Sequence, residues 1–186
     1  MWLPVALLLL ASSIPSTTAI YRDEINHVDF HHALLGIPTL DSTFFLRPSA
    51  ASNAFLLYTL SGNSIVGAVN PRDGALVWRQ NLARLAQDDA AEGGFLRAID
   101  GTNELVSAVG KYVSAWTAFD GKLIWENWFG DSVVDLELLA LEDATSGSAA
   151  ATRDSIALFG GKNGVVRRLD GETGDVKWEF KDDRLV

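Results

Sequence analysis

The sequence predicts an all-β chain: part of a β-propeller, with about three four-stranded blades. Three observations carry this. A turn-plus-tryptophan motif occurs three times, as Asn70-Pro71-Arg72-Asp73-Gly74-Ala75-Leu76-Val77-Trp78, Phe119-Asp120-Gly121-Lys122-Leu123-Ile124-Trp125 and Leu169-Asp170-Gly171-Glu172-Thr173-Gly174-Asp175-Val176-Lys177-Trp178. The spacing from glycine (Gly74, Gly121, Gly174) to tryptophan is four residues each time, and the tryptophans lie 47 and 53 residues apart. Self-similarity at that period marks a repeat architecture. Between the motifs lie short runs of apolar, aromatic and β-branched residues bounded by Gly, Asn, Asp and Ser, the pattern of strands joined by tight turns.

The elements follow in order. Residues 21–32 are polar, and 33–38 suggest a short strand. A strand over 41–46 ends at Arg47-Pro48, where proline suits a strand end. Strands are expected over 54–59 and 64–69, around a Ser61-Gly62-Asn63 turn, and the Asp73-Gly74 turn reverses the chain into 75–79. Residues 82–94 form an acidic, Ala-rich connection with a helical turn at 82–87. The second repeat offers strands at 95–99, 104–109, 112–118 and 122–128, with turns at Asp100-Gly101, Gly110-Lys111 and Asp120-Gly121. The third offers 133–140, 155–159, 165–169 and 176–180. Before its second strand, 142–154 reads as a loop, and its Ala/Ser-rich part, 144–152, as mobile. The second turn reads one or two positions shorter than the others.

In each motif the Asp-Gly pair supplies the positive φ of a tight turn, since Gly lacks a Cβ. The tryptophan is expected to cover the seam between adjacent blades, where it buries about 150–250 Å². The residues singled out, Asp73, Gly74, Trp78, Asp120, Gly121, Trp125, Asp170, Gly174 and Trp178, are thus read as a structural repeat rather than as ligand contacts. Replacement of any of the three tryptophans by alanine is expected to cost about 3–5 kcal/mol. Propellers have roughly 4 to 8 blades, so three suggest the incomplete N-terminal part of a larger propeller, marginal or aggregation-prone alone because blade faces and strand edges stay open.

Composition limits function. The 186 residues are 48% hydrophobic and carry a net charge of −9, with no cysteine. With no basic run, nucleic acid is not an expected partner. Without disulfides the fold must rest on its core. Residues 2–11 are apolar and uncharged, too short for the roughly 20 residues that span a bilayer. They are followed by small polar residues and Thr17-Thr18-Ala19, so 1–19 read as a secretory signal peptide and 20–186 as a lumenal domain. No Asn-x-Ser/Thr sequon occurs.

Sites with chemistry are sparse. His27, His31 and His32 cluster beside Asp29, yet a convincing third metal ligand is missing. The run Gly160-Gly161-Lys162-Asn163-Gly164 lacks the frame of a phosphate loop and reads as a hairpin turn. Asp131, Asp135 and Glu137 read as a solvated face, with no His or Lys to complete an acid–base pair. There is no Gly-x-Ser-x-Gly nucleophile motif. No catalytic residue, cofactor, metal or small-molecule substrate is expected.

The glycine-to-tryptophan repeat resembles the pyrroloquinoline-quinone-type (PQQ-like) propeller repeat, the third copy most closely. More narrowly, a signal peptide, the segment Ile20-Tyr21-Arg22-Asp23-Glu24 and a repeat reading Ala68 through Trp78-Arg79 resemble the N-terminus of the family of subunit 1 of the endoplasmic reticulum (ER) membrane protein complex. This resemblance implies a non-catalytic lumenal scaffold that supports insertion and folding of membrane proteins. It implies the other subunits of that complex as partners, client proteins indirectly, and a C-terminal membrane anchor elsewhere in the protein. The PQQ-like repeat also leaves open a quinoprotein dehydrogenase, with a quinone and a Ca²⁺ site, or a bacterial outer-membrane assembly scaffold.

Overall fold

A computed structural model describes residues 34–49, 51–86, 94–99, 102–141, 152–160 and 164–181. Their twelve strands form three antiparallel four-stranded sheets, each in simple sequential order. Blade 1 contains β1 (Pro38–Leu46), β2 (Leu56–Ser61), β3 (Ile65–Val69) and β4 (Leu76–Asn81). Blade 2 contains β5 (Phe95–Ala98), β6 (Glu104–Val109), β7 (Tyr112–Thr117) and β8 (Leu123–Trp128). Blade 3 contains β9 (Val133–Leu141), β10 (Thr152–Phe159), β11 (Val165–Leu169) and β12 (Val176–Lys181).

The meander order follows from the turns, because hairpin-length connections leave each strand no neighbour but the next. The first strands of successive blades lie together, β1 against β5 and β5 against β9. Ser42 bridges the first pair, donating to the Gly94 carbonyl and accepting from the Leu96 amide, both at 3.1 Å. Blade 3 is tied to blade 2 through the main chain instead: the Val133 amide donates to the Gly110 carbonyl, in the turn between β6 and β7, at 2.8 Å.

Stacking sheets face to face makes the middle strands of a blade bury both sides. In blade 2, β6 and β7 are buried over nearly their whole length, so the two-residue alternation of a half-wet strand is lost. Two apolar clusters fill the gaps. One packs Leu56, Tyr58, Leu60 and Trp78 of blade 1 on Leu96, Leu105 and Trp116 of blade 2. The other packs Val106, Val113 and Trp125 of blade 2 on Leu136, Phe159 and Leu169 of blade 3. The Phe129 and Phe159 rings meet at 4.8 Å, and the Arg167 guanidinium lies over both.

Three expectations change. Residues 34–37 turn instead of forming a strand, because Leu35 folds under blade 1 and is 5% exposed. It takes the space left by Gly67, where a Cβ would come within 2.6 Å of Leu35 Cδ2. The loop expected up to residue 154 ends earlier: β10 begins at Thr152 and pairs with β9 from Leu141. The three motif turns are equal in length. Each closes with an amide-to-carbonyl bond from the glycine four residues back, Gly74 to Asn70, Gly121 to Thr117 and Gly174 to Asp170, at 2.8–2.9 Å. The expected helical turn at 82–87 is seen over 82–86 as Leu85 and Ala86 amides bonding three residues back. Residues 1–33, the Asp100-Gly101 turn, 142–151 and 161–163 lie outside the described residues, and with them the histidine cluster and the Gly-rich run.

Candidate functional site

The motif residues meet between blades. The equal turns align Asn70, Thr117 and Asp170 at their first position. Asp73, Asp120 and Thr173 then precede Gly74, Gly121 and Gly174, so Asp170 caps its turn where the other two aspartates sit next to the glycine. Asp73 Oδ1 accepts from the Ala75 amide at 2.9 Å, and Asp120 from Lys122 at 3.2 Å and from the Thr117 hydroxyl. Asp170 Oδ1 accepts from the Glu172 and Thr173 amides at 2.8 and 3.1 Å. All three glycines have positive φ, between 67° and 76°.

Each of the first two tryptophans packs on the turn of the following blade. The Trp78 ring lies on Gly121, where a Cβ would overlap Cδ2 and Cε3 of the indole. Trp78 Nε1 donates to the Ala118 carbonyl at 2.9 Å. Trp125 repeats this on Gly174: a Cβ there would stand 2.5 Å from Cε3, and Trp125 Nε1 donates to the Gly171 carbonyl at 2.8 Å. Ala118 and Gly171 are the second residues of their turns, so the two seams are the same construction. The glycine is needed twice over, for its left-handed backbone and for the closeness of the ring.

Two further donors were not anticipated. Gln80 Nε2 donates to the Gly121 carbonyl at 3.0 Å, and Asn127 Nδ2 to the Gly174 carbonyl at 2.8 Å. Their signal in the sequence is an amide side chain two residues after the tryptophan. In the third copy Phe180 holds that position. In blade 1 the Tyr58 hydroxyl also donates to the Ala118 carbonyl, at 3.0 Å, and burial pushes its pKa up.

The third tryptophan behaves differently. Trp178 is 42% exposed, against 8% for Trp78 and Trp125, and every residue of β12 is exposed. Its alanine replacement therefore cannot cost as much as that of the other two. Beside it lies an ion network no motif announced. Asp154, fully buried, accepts from Arg168 Nε at 2.6 Å, from Lys177 Nζ at 2.9 Å and from the Gly171 amide at 3.3 Å. Lys177 also pairs with Asp170 at 2.8 Å. That contact holds the Asp170 carboxyl below its ordinary value, and Asp170 with Asp154 raises Lys177. The network clamps the turn that receives Trp125.

These contacts occupy the motif residues other than Trp178 with backbone geometry and packing. A small cavity at the second seam, lined by Thr102, Glu104, Val106, Leu138 and Ser155, holds about 10 Å³, room for one water at most. Among the described residues no three His, Asp or Glu side chains come together as a metal site. Asp135 is exposed, its carboxylate accepting from the adjacent Leu136 amide, and Glu137 pairs with Arg97 at 3.6 Å. No helix among the described residues is long and apolar enough to cross a membrane.

The family described as EMC1 N-terminal beta-propeller domain matches residues 19–186. The chain belongs to that family. The ER membrane protein complex subunit 1 of Gallus gallus is 27% identical over 157 residues, covering 84% of this chain. The chain spans only 15% of the length of that curated relative. Among solved structures, BamB from Moraxella catarrhalis is similar with a TM-score of 0.49 and 15% identity, covering 80% of this chain and 38% of BamB. The quinohemoprotein alcohol dehydrogenase ADHIIG from Pseudomonas putida HK5 has a TM-score of 0.46 and 21% identity, over 68% of this chain and 19% of the enzyme. The fold itself rests on the three four-stranded sheets and the family match: an all-β propeller, with three blades among the described residues.

Proposed function

We propose that this chain is the N-terminal part of a lumenal propeller in the ER membrane protein complex, a non-catalytic scaffold that supports insertion and folding of membrane proteins. The observation that carries the reading is the family match over residues 19–186. The name of the avian relative supports the complex. The geometry is consistent with a scaffold, because eight of the nine motif residues are engaged in turns and seams, and the ninth, Trp178, lies half-exposed on the outer face of blade 3. Residues 1–19 are proposed as the signal peptide that delivers the propeller to the lumen, and the other subunits as its partners, with client proteins touched indirectly.

The test is an affinity purification of the tagged, complete gene product from gently solubilised ER membranes, with protease protection in sealed microsomes. Co-purification of the complex together with protection of residues 34–181 is the expected outcome. A soluble product free of the complex, or blades digested from the cytosolic side, would overturn the reading.

A further inference from the structure

The two seams are built alike but filled differently. Cross-strand pairing aligns them residue by residue. Tyr58 lies opposite Ala68, which lies opposite Trp78. Val106 lies opposite Ala115, which lies opposite Trp125. Val106 thus holds in blade 2 the position that Tyr58 holds in blade 1. On the receiving side, Leu105 pairs with Ala98 and Trp116, and Ser155 pairs with Leu138 and Leu169. Ser155 thus stands in blade 3 where Leu105 stands in blade 2. Tyr58, Leu105 and Trp116 of the first seam are exchanged for the smaller Val106, Ser155 and Leu169 in the second, and Leu138 for Ala98 runs the other way. The cavity of the second seam is found at this place, lined by Val106, Leu138 and Ser155 together with Thr102, Glu104 and Gly171.

We infer that this cavity binds one water molecule, which joins blade 2 to blade 3 and stands in for the Tyr58 hydroxyl of the first seam. One observation is the Ser155 hydroxyl. Ser155 is 1% exposed and shares its side of β10 with Ala157 and Phe159, which pack against blade 2. Its Oγ is buried, with no hydrogen-bond partner among the described residues. A hydroxyl taken out of bulk water and left unpaired is costly, and buried polar groups are as a rule bonded to protein or to an ordered water. The other observation is the receiving carbonyl. In the first seam the Ala118 carbonyl accepts twice, from Trp78 Nε1 at 2.9 Å and from the Tyr58 hydroxyl at 3.0 Å. In the second, the Gly171 carbonyl accepts from Trp125 Nε1 at 2.8 Å, and Val106 has no hydroxyl to make the other bond. A water there donates to the Gly171 carbonyl and accepts from Ser155 Oγ. Its remaining proton goes to Thr102 Oγ1, which donates to the Ile99 carbonyl at 2.7 Å and keeps lone pairs to accept. Three polar partners around a space of about 10 Å³ match what one buried water needs. A metal ion fits less well, because Glu104 supplies the only charged side chain of the lining, and a bound Ca²⁺ takes several oxygen ligands at once.

The test is a map of the complete gene product with its natural partners, by electron cryo-microscopy at a resolution that shows other buried waters. One sphere of density is expected, within about 2.5–3.2 Å of both Ser155 Oγ and the Gly171 carbonyl oxygen. In the Ser155→Val protein, whose second methyl takes up the space, the sphere should be lost while the neighbouring strands keep their positions. A seam without density there, or a Ser155 hydroxyl bonded to a protein group instead, would overturn the inference. So would a sphere that persists unchanged in Ser155→Val, or one ringed by five or more oxygens at about 2.3–2.6 Å, the spacing of a bound cation.

Discussion

Trp125 and Trp178 end nearly the same local sequence and have opposite environments. Trp125 is pressed on Gly174 and hydrogen-bonded to Gly171, whereas Trp178 is 42% exposed. The difference does not lie in either repeat. It lies in whether the turn of another blade packs on the ring, as Gly174 does on Trp125. A repeat of this kind writes half of each contact and leaves the other half to its neighbour, so stability is a sum over seams as well as over blades.

Substitutions can break or sharpen that comparison. Trp78→Ala and Trp125→Ala should each lose about 3–5 kcal/mol in urea denaturation of residues 1–186, while Trp178→Ala should lose about 1–2 kcal/mol, because 42% of that residue is already exposed. Equal losses at all three would break the distinction. Gly121→Ala should cost about 3 kcal/mol, combining left-handed strain with overlap on the Trp78 ring. Asp154→Ala should cost about 2 kcal/mol, because it removes the acceptor of several charge-assisted bonds whose donors are partly solvated. Gln80→Ala and Asn127→Ala should cost about 1 kcal/mol each by the same measurement.

The smallest effect is one of pH. Asp170 is held below its ordinary value chiefly by Lys177, and so stabilises the folded state fully above the unfolded carboxyl value, about 3.9. That contribution is lost as pH falls through the folded value. Lys177 is raised, chiefly by Asp170 and then Asp154, so its share is present below about 10.4 and lost as pH climbs through the raised value. An Asp170→Asn variant should therefore show a shallower acid loss of stability than the parent below about pH 4. Identical acid limbs would remove the pair from the account.

The strands were legible in the sequence because the turns were. Gly74, Gly121 and Gly174 fix where the chain reverses, and the apolar runs between them have no room for anything but strands. What could not be read was longer in range. Residues 33–38 resemble a strand locally, yet Leu35 has a better place over Gly67. Asp154 sits in a polar stretch that suggests a loop, and only the pairing of β9 with β10 brings it under Arg168 and Lys177. The spacing of Gln80 and Asn127 after their tryptophans was visible, but its meaning depends on a carbonyl more than forty residues ahead. For the same reason the motif could be counted three times without revealing that Trp78 and Trp125 are buried while Trp178 is exposed.

A double-mutant cycle between Trp125→Leu and Gly174→Ala, followed by urea denaturation, tests the tryptophan-on-glycine seam most directly. If the ring rests on the glycine, Gly174→Ala should cost about 3 kcal/mol in the parent and about 1–2 kcal/mol once the indole is gone, from backbone strain and a displaced Asn127 amide, which a Cβ would approach to 2.6 Å. The same cycle between Trp178→Leu and Gly174→Ala should be additive. Additive costs for Trp125 and Gly174 would contradict the account.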